Sequence, residues 1–137
     1  MTTDIHRFRL LVDVHPGLSR AVRRIIATLS DEGHTAIITQ GARTTEQQQA
    51  LYAQGRTKPG KIVTNADGVR RKSLHQRQGD GYAHAVDVAW IDEARVTWDG
   101  PWDRFGALAQ QEGLVWGGAW TSFRDMPHVE LPVGGLR

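Results

Sequence analysis

Residues 84–91 read HAVDVAWI. Read as a strand, the segment puts Val86, Val88 and Trp90 on one face and Ala85, Asp87 and Ala89 on the other, because successive side chains of an extended chain alternate. An acid in mid-strand between two alanines is unusual. A carboxylate taken out of water is costly unless it is paired or bound to a metal. The small neighbours leave room beside it for something bulky. His75, His128 and the arginines are the candidate partners for Asp87.

Upstream, Leu18, Val22, Ile25, Ile26 and Leu29 recur at helical spacing from Gly17 to Glu32, which predicts an amphipathic helix. Pro16 suits its first turn and Gly33 its stop, with Arg20, Arg23 and Arg24 toward water. Residues 35–39, TAIIT, predict a short buried strand. Thr44 and Thr45 followed by Gln47 and Gln48 form a capping-box start. The second helix that follows is expected to turn Leu51 and Tyr52 inward and to end at Gly55. Residues 56–80 are rich in Gly, Lys, Arg and Asn and show no clear period; a loop this long in a small domain is usually functional or disordered.

Downstream, residues 92–98 continue as a hairpin. Residues 101–112, PWDRFGALAQQE, predict a third helix with Trp102, Phe105, Leu108 and Ala109 inward and Gly113 at its end. Leu114–Trp116 reads as a short strand, Trp116–Phe123 as a Gly/Trp loop, and Pro127–Leu131 as a last strand with His128 and Glu130 on one face. Separate helices mixed with short strands predict an α+β fold: a small antiparallel sheet with about three helices around it. At 137 residues a single domain over positions 1–137 is expected.

The chain contains no cysteine, which excludes disulfides, thiolate metal sites and a cysteine nucleophile. A hydrophobic share of 39% fits an ordinary globule rather than a disordered chain. No apolar run approaches the roughly 20 residues of a membrane span. The opening MTTDIHRFRLLVDVHPG lacks a signal peptide's apolar core and small-residue cleavage site, so the expectation is a protein that carries no export signal of its own. The net charge of +2 is consistent with a solvated surface or with attraction to a polyanion. A nucleic-acid partner would call for aromatic residues among the basic ones, and the stretch from Arg56 to Lys72 contains none.

A lone histidine is more often structural than a ligand, so His6, His15, His34, His75, His84 and His128 matter only as a constellation. His128 lies in DMPHVEL, with Asp125 on the turn before it and Glu130 two residues after. His75 follows Ser73 at the end of the basic loop, where a loop histidine can meet the strand carboxylate Asp87. Two histidines and one carboxylate leave an open position for water, the arrangement of hydrolytic zinc sites. Zinc brings the pKa of its water toward about 7 and polarises a carbonyl. A separate carboxylate must then move the proton, and Asp125 fits. A fixed cation should stabilise the oxyanion. Arg43, between the TAIIT strand and the second helix, is the candidate. The spacing does not match the helical H-E-x-x-H motif.

Ser73-Leu74-His75, Asp87 and Asp125-Met126-Pro127-His128 resemble the S-x-H, D and acid-x-x-H elements of the zinc D-alanyl-D-alanine carboxypeptidase and L-alanyl-D-glutamate peptidase family, particularly small single-domain phage endolysins. Gly41-Ala42-Arg43-Thr44 looks like the family's G-x-R-[ST] turn, and the likeness runs from about Val14 to Leu131. It implies the fold shared with the hedgehog signalling domain, one Zn2+ on His75, Asp87 and His128, Asp125 as general base and Arg43 as transition-state stabiliser. Ser73 would support the ligand loop or the substrate. Trp116 and Trp120 are candidates to wall the substrate groove, or else core. The family usually reads S-x-H-x-x-G-x-A-x-D, whereas here eleven residues separate His75 from Asp87, with Arg77–Gly81 as a tight insertion and Ala83 in place of the glycine. That puts His84 in play as a competing ligand, but three residues from Asp87 it faces the other side of a strand. Asp80 in the insertion reads as a turn residue, with a regulatory Ca2+ as its other possible role.

The activity so implied is hydrolysis of the L-alanyl-D-glutamate bond of the peptidoglycan stem peptide by a monomeric endolysin, made in the host cytoplasm and let through to the wall by a holin. D-alanyl-D-alanine carboxypeptidase or dipeptidase activity is the alternative within the family, and a non-catalytic zinc-containing wall-binding domain the alternative outside it.

Overall fold

In the computed structural model, which describes residues 8–136, three helices surround one five-stranded antiparallel sheet. The helices are α1 (Pro16–Asp31), α2 (Thr45–Ala53) and α3 (Trp102–Gln111). The strands are β1 (Thr35–Gln40), β2 (Ala85–Asp92), β3 (Arg95–Thr97), β4 (Val115–Trp116) and β5 (His128–Glu130). This is the α+β architecture expected from the sequence. His6 lies outside the described residues.

The long strand β2 organises the sheet. β1 pairs along one edge, while β5 and the hairpin partner β3 share the other edge at opposite ends. β4 closes the sheet beyond β5. Val86, Val88 and Trp90 enter the core with Leu18, Val22, Ile25, Ile26 and Leu29 of α1 and Phe105, Leu108 and Ala109 of α3. The apolar stripes of α1 and α3 thereby cover one face of the sheet. Gly33, at φ +89°, ends α1 where a left-handed residue is required. The Gly33 and His34 amides then close back on Ser30 and Leu29.

The other face of β2 carries Asp87. Its cross-strand neighbours are His128 on β5 and Gln40 on β1. The β1 register slips between Ile38 and Gln40, a bulge that redirects the chain toward Gly41 and Arg43.

Helix α2 begins with the expected capping box: Thr44 Oγ1 accepts from the Gln47 amide at 3.1 Å and Gln47 Oε1 accepts from the Thr44 amide at 2.9 Å. Its buried residue is Gln48, fully enclosed, whereas Leu51 and Tyr52, expected inside, are half-buried. The inner face of α2 meets a loop rather than the apolar core, so it presents an amide. Gln48 Nε2 donates to the Ala66 carbonyl at 2.8 Å and to Thr64 Oγ1 at 3.3 Å. Gln76, also buried, donates to the Gly68 carbonyl and to Thr45 Oγ1 and accepts from the Ser73 amide. Asp67 Oδ1 accepts from the amides of Val69, Arg70 and Arg71. Side-chain hydrogen bonds thus replace a ladder as the frame of residues 54–84.

Among the described residues no helix is long and apolar enough to cross a membrane.

Candidate metal centre

Three donor side chains converge on the polar face of β2. His75, Asp87 and His128 each offer one ligand atom, and those atoms lie within 4.8 Å of one another. Asp87 Oδ1 stands 3.1 Å from His128 Nδ1 and 3.3 Å from His75 Nε2. Both rings are buried and meet edge to face at 5.2 Å.

The two halves of this cluster are held differently. Asp87 and His128 are directly opposed on neighbouring strands, so the ladder sets their separation. Ala85 stands opposite Glu130 in the same ladder, and its small side chain leaves Glu130 space to lie against His128. His75 comes from the loop. Its amide donates to Ser73 Oγ at 3.1 Å, its carbonyl accepts from the Arg43 amide at 2.7 Å, and its Nδ1 meets the Gly41 carbonyl at 2.9 Å. Ser73 therefore shapes the turn that carries the histidine. Gly41 is sterically required, because a Cβ there would stand 1.9 Å from the Leu10 carbonyl oxygen.

The outward nitrogens decide what the inward ones offer. The Gly41 carbonyl engages His75 Nδ1, which leaves Nε2 as the nitrogen facing Asp87. Glu130 Oε1 lies 2.7 Å from His128 Nε2, which leaves Nδ1 as the nitrogen facing the cluster. Outer acceptors that orient imidazoles in this way are characteristic of metal-ligating histidines. Two imidazoles and a carboxylate, with no fourth donor joining them among the described residues, fit a tetrahedral ion with one place open. Glu130 and Gly41 escaped the sequence reading as partners of the histidines. The period-two spacing of His128 and Glu130 is the signal that points to the first; nothing in the sequence marks the second.

Electrostatics agree with a cation-binding site. Burial works against a charge on Asp87, but hydrogen bonds from His128 and His75 outweigh it and hold the carboxyl well below the usual range. Burial also opposes protonation of His128, yet Asp87 and Glu130 raise its pKa to about 9. The cluster therefore holds a proton where a metal would sit, and binding would release it.

Asp125 occupies the turn before β5, its amide bonded to the Gly117 carbonyl at 3.0 Å. Its Oδ2 lies 3.9 Å from His128 Nδ1, near the cluster but beyond hydrogen-bond range. Burial and the Asp87 charge both raise its pKa. Arg43, just beyond the β1 bulge, donates from Nη1 to Gln48 Oε1 at 2.7 Å and keeps a buried Nε–H without an acceptor. Burial lowers its pKa, opposed by the nearby charges of Asp87 and Asp125. Gln48, read from the sequence only as part of the capping-box start, thus ties Arg43 to the loop.

The two tryptophans differ. Trp120 stacks on His128 at 5.1 Å and borders the cluster. Trp116 lies close over Gly106 and Gly118, where a Cβ would stand 2.3 Å and 2.2 Å from the indole, and its Nε1 donates to the Met126 carbonyl at 2.8 Å. Those contacts make Trp116 a packing element beneath the last loop. His84 stands apart from the cluster, on Asp80 at 2.8 Å and beside His15. The expectation of calcium at Asp80 finds no support: one oxygen accepts from the Tyr82 amide and the other faces His84. Among the described residues the only cluster of metal-ligating side chains is His75, Asp87 and His128.

Residues 67–131, which contain all three donors, match the D-alanyl-D-alanine carboxypeptidase family. The peptidoglycan L-alanyl-D-glutamate endopeptidase CwlK of Bacillus subtilis is 33% identical over 130 residues, covering 87% of this chain and 74% of the relative. The chain belongs to the D-alanyl-D-alanine carboxypeptidase family. It is a metallopeptidase of that family. Two solved structures have the same fold. The L-Ala D-Glu endopeptidase ChiX of Serratia marcescens superposes with a TM-score of 0.64 at 23% identity, over 93% of this chain and 87% of that one. The vancomycin-resistance D,D-dipeptidase VanXYg superposes with a TM-score of 0.59 at 18% identity, over 85% and 49% of the two chains. The fold expected from the sequence is therefore shared with other peptidases.

Proposed function

We propose that the chain is a single-domain zinc endopeptidase that hydrolyses the L-alanyl-D-glutamate bond of the peptidoglycan stem peptide. The observation that carries this reading is the convergence of His75 Nε2, Asp87 Oδ1 and His128 Nδ1, with the outward histidine nitrogens held by Gly41 and Glu130. The printed activity of CwlK, at 33% identity, supports the choice of bond.

His75, Asp87 and His128 hold the ion. When bound, zinc supplies the Lewis acidity that polarises the scissile carbonyl and activates water. Asp125, beside His128 and with a raised pKa, takes the proton of the attacking water and delivers it to the leaving amine. Arg43, held by Gln48, stabilises the negative charge that develops on the carbonyl oxygen. Trp120 borders the substrate groove on the His128 side, and Ser73 keeps the His75 turn in place. The biological setting we propose is a monomeric phage endolysin, released to the wall by a holin.

The test is a digest of purified Gram-negative peptidoglycan, read by mass spectrometry of the new termini. It is run with and without chelator, after zinc is restored, and with Asp125→Ala. New D-glutamate amino termini are expected. Chelation should abolish them, and Asp125→Ala should reduce their rate by about 10²- to 10⁴-fold. Release of terminal D-alanine alone would transfer the chain to the carboxypeptidase activity for which its family is named. No cleavage by zinc-loaded protein would contradict the enzymatic reading.

A further inference from the structure

A cavity of about 410 Å³ adjoins Arg43 and is lined also by Asp13, Thr45, Lys72, Gln76 and Arg77. Its charges are unequal. Asp13 Oδ2 accepts from Arg77 Nη2 at 2.7 Å, so that pair is nearly neutral and braces Arg77. Lys72 is left without a counter-charge, while Arg43 shares the charges of Asp87 and Asp125. No hydrogen bond or ion pair engages the Lys72 side chain among the described residues. Arg43 has its one buried N–H without an acceptor.

The neutral lining adds no free acceptor strong enough to compete. The Gln76 amide is fully committed to Ser73, Thr45 and Gly68. Thr45 Oγ1 accepts from Gln76, which leaves its own proton free to donate. Thr45 also begins α2, whose amide dipoles add positive potential at that end. Apart from the Asp13–Arg77 pair, every uncommitted group identified is a cation or a donor.

The position of the cavity narrows the ligand. Arg43 is shared, since its charge also acts on Asp87 and Asp125. The Arg43 amide also donates to the His75 carbonyl, and Gln76 follows His75 in sequence, so the cavity wall is continuous with the backbone that carries one donor of the cluster. In the stem peptide D-glutamate continues the chain through its γ-carboxyl and keeps its α-carboxylate free. We infer that this cavity is the subsite for that α-carboxylate, with Lys72 binding it and Arg77, braced by Asp13, forming the outer wall. The inference rests on the substrate reading given above. It also assigns a role to Lys72 and to Arg77 of the inserted loop, which the peptidase chemistry leaves without one.

Two soluble stem peptides test it, one with D-glutamate and one with D-isoglutamine, in which the α-carboxylate is a carboxamide. The wild-type protein should cleave the acid with a kcat/KM about tenfold above the amide, a modest value for a charged hydrogen bond. Lys72→Met should bring the ratio toward one, and Lys72→Arg should preserve it. A wild-type protein indifferent to the carboxylate, or a Lys72→Met variant that keeps the preference, overturns the subsite while leaving the endopeptidase intact. If the wild-type protein cleaves neither peptide, the substrate reading fails separately. The Lys72 side-chain resonances, followed by NMR during titration with each peptide, then decide. Shifts with the acid and not the amide support the subsite; equal or absent shifts overturn it.

Discussion

The His75–Asp87–His128 donor cluster is built from two regions that hold their side chains by opposite means. Asp87 and His128 stand on paired strands, and a continuous ladder with an apolar core beneath it fixes their spacing. His75 and Arg43 stand on irregular backbone, and individual amides fix theirs: Gln48 on Arg43, Ala66 and Thr64, and Gln76 on Ser73, Thr45 and Gly68. A ladder shares its load over many equivalent bonds, whereas a buried glutamine concentrates it at one residue. The two halves should therefore fail differently.

Loss of the sheet half should be the more drastic. Asp87→Ala removes the carboxylate that both histidines face and should reduce zinc occupancy to background, measured as metal content after dialysis. Retained stoichiometric zinc would mean that the loop half suffices. Loosening Arg43 within the loop half should spare the metal and damage the chemistry. Gln48→Leu leaves Arg43 without its anchor and the Ala66 carbonyl without its donor. We expect kcat to fall about a hundredfold through misplacement of the arginine, stability to fall by about 1–3 kcal/mol, and zinc to stay bound. Equal losses of zinc and kcat would show that the two halves are not separable. The smallest change sharpens the ladder itself. Glu130→Gln keeps the shape beside His128 but weakens the acceptor, and zinc affinity should fall about 10- to 100-fold by competition titration.

The same division explains what could be read from the sequence. The amphipathic stripes of α1 and α3, the alternation of β2 and the capping box at Thr44 are periodic or local signals, and each corresponds to an element of the structure. Asp87 between two alanines, and His128 with Glu130 at a spacing of two, carry the sheet half in the same way. The loop half has no period. His75 was legible only with Ser73 and through family resemblance, and Gln48 read as part of a capping-box start at the head of a helix. Its burial follows from a loop folded over α2, so Leu51 and Tyr52 took the inward positions in the sequence reading while the structure gave that place to an amide. Trp116 shows the same limit, since its fit over Gly106 and Gly118 depends on residues far apart in the chain.

Anomalous diffraction at the zinc edge from crystals of the zinc-loaded protein tests the central claim most directly. The account predicts one peak, about 2.0–2.2 Å from His75 Nε2, Asp87 Oδ1 and His128 Nδ1. A peak among His15, Asp80 and His84, or none near β2, would contradict it.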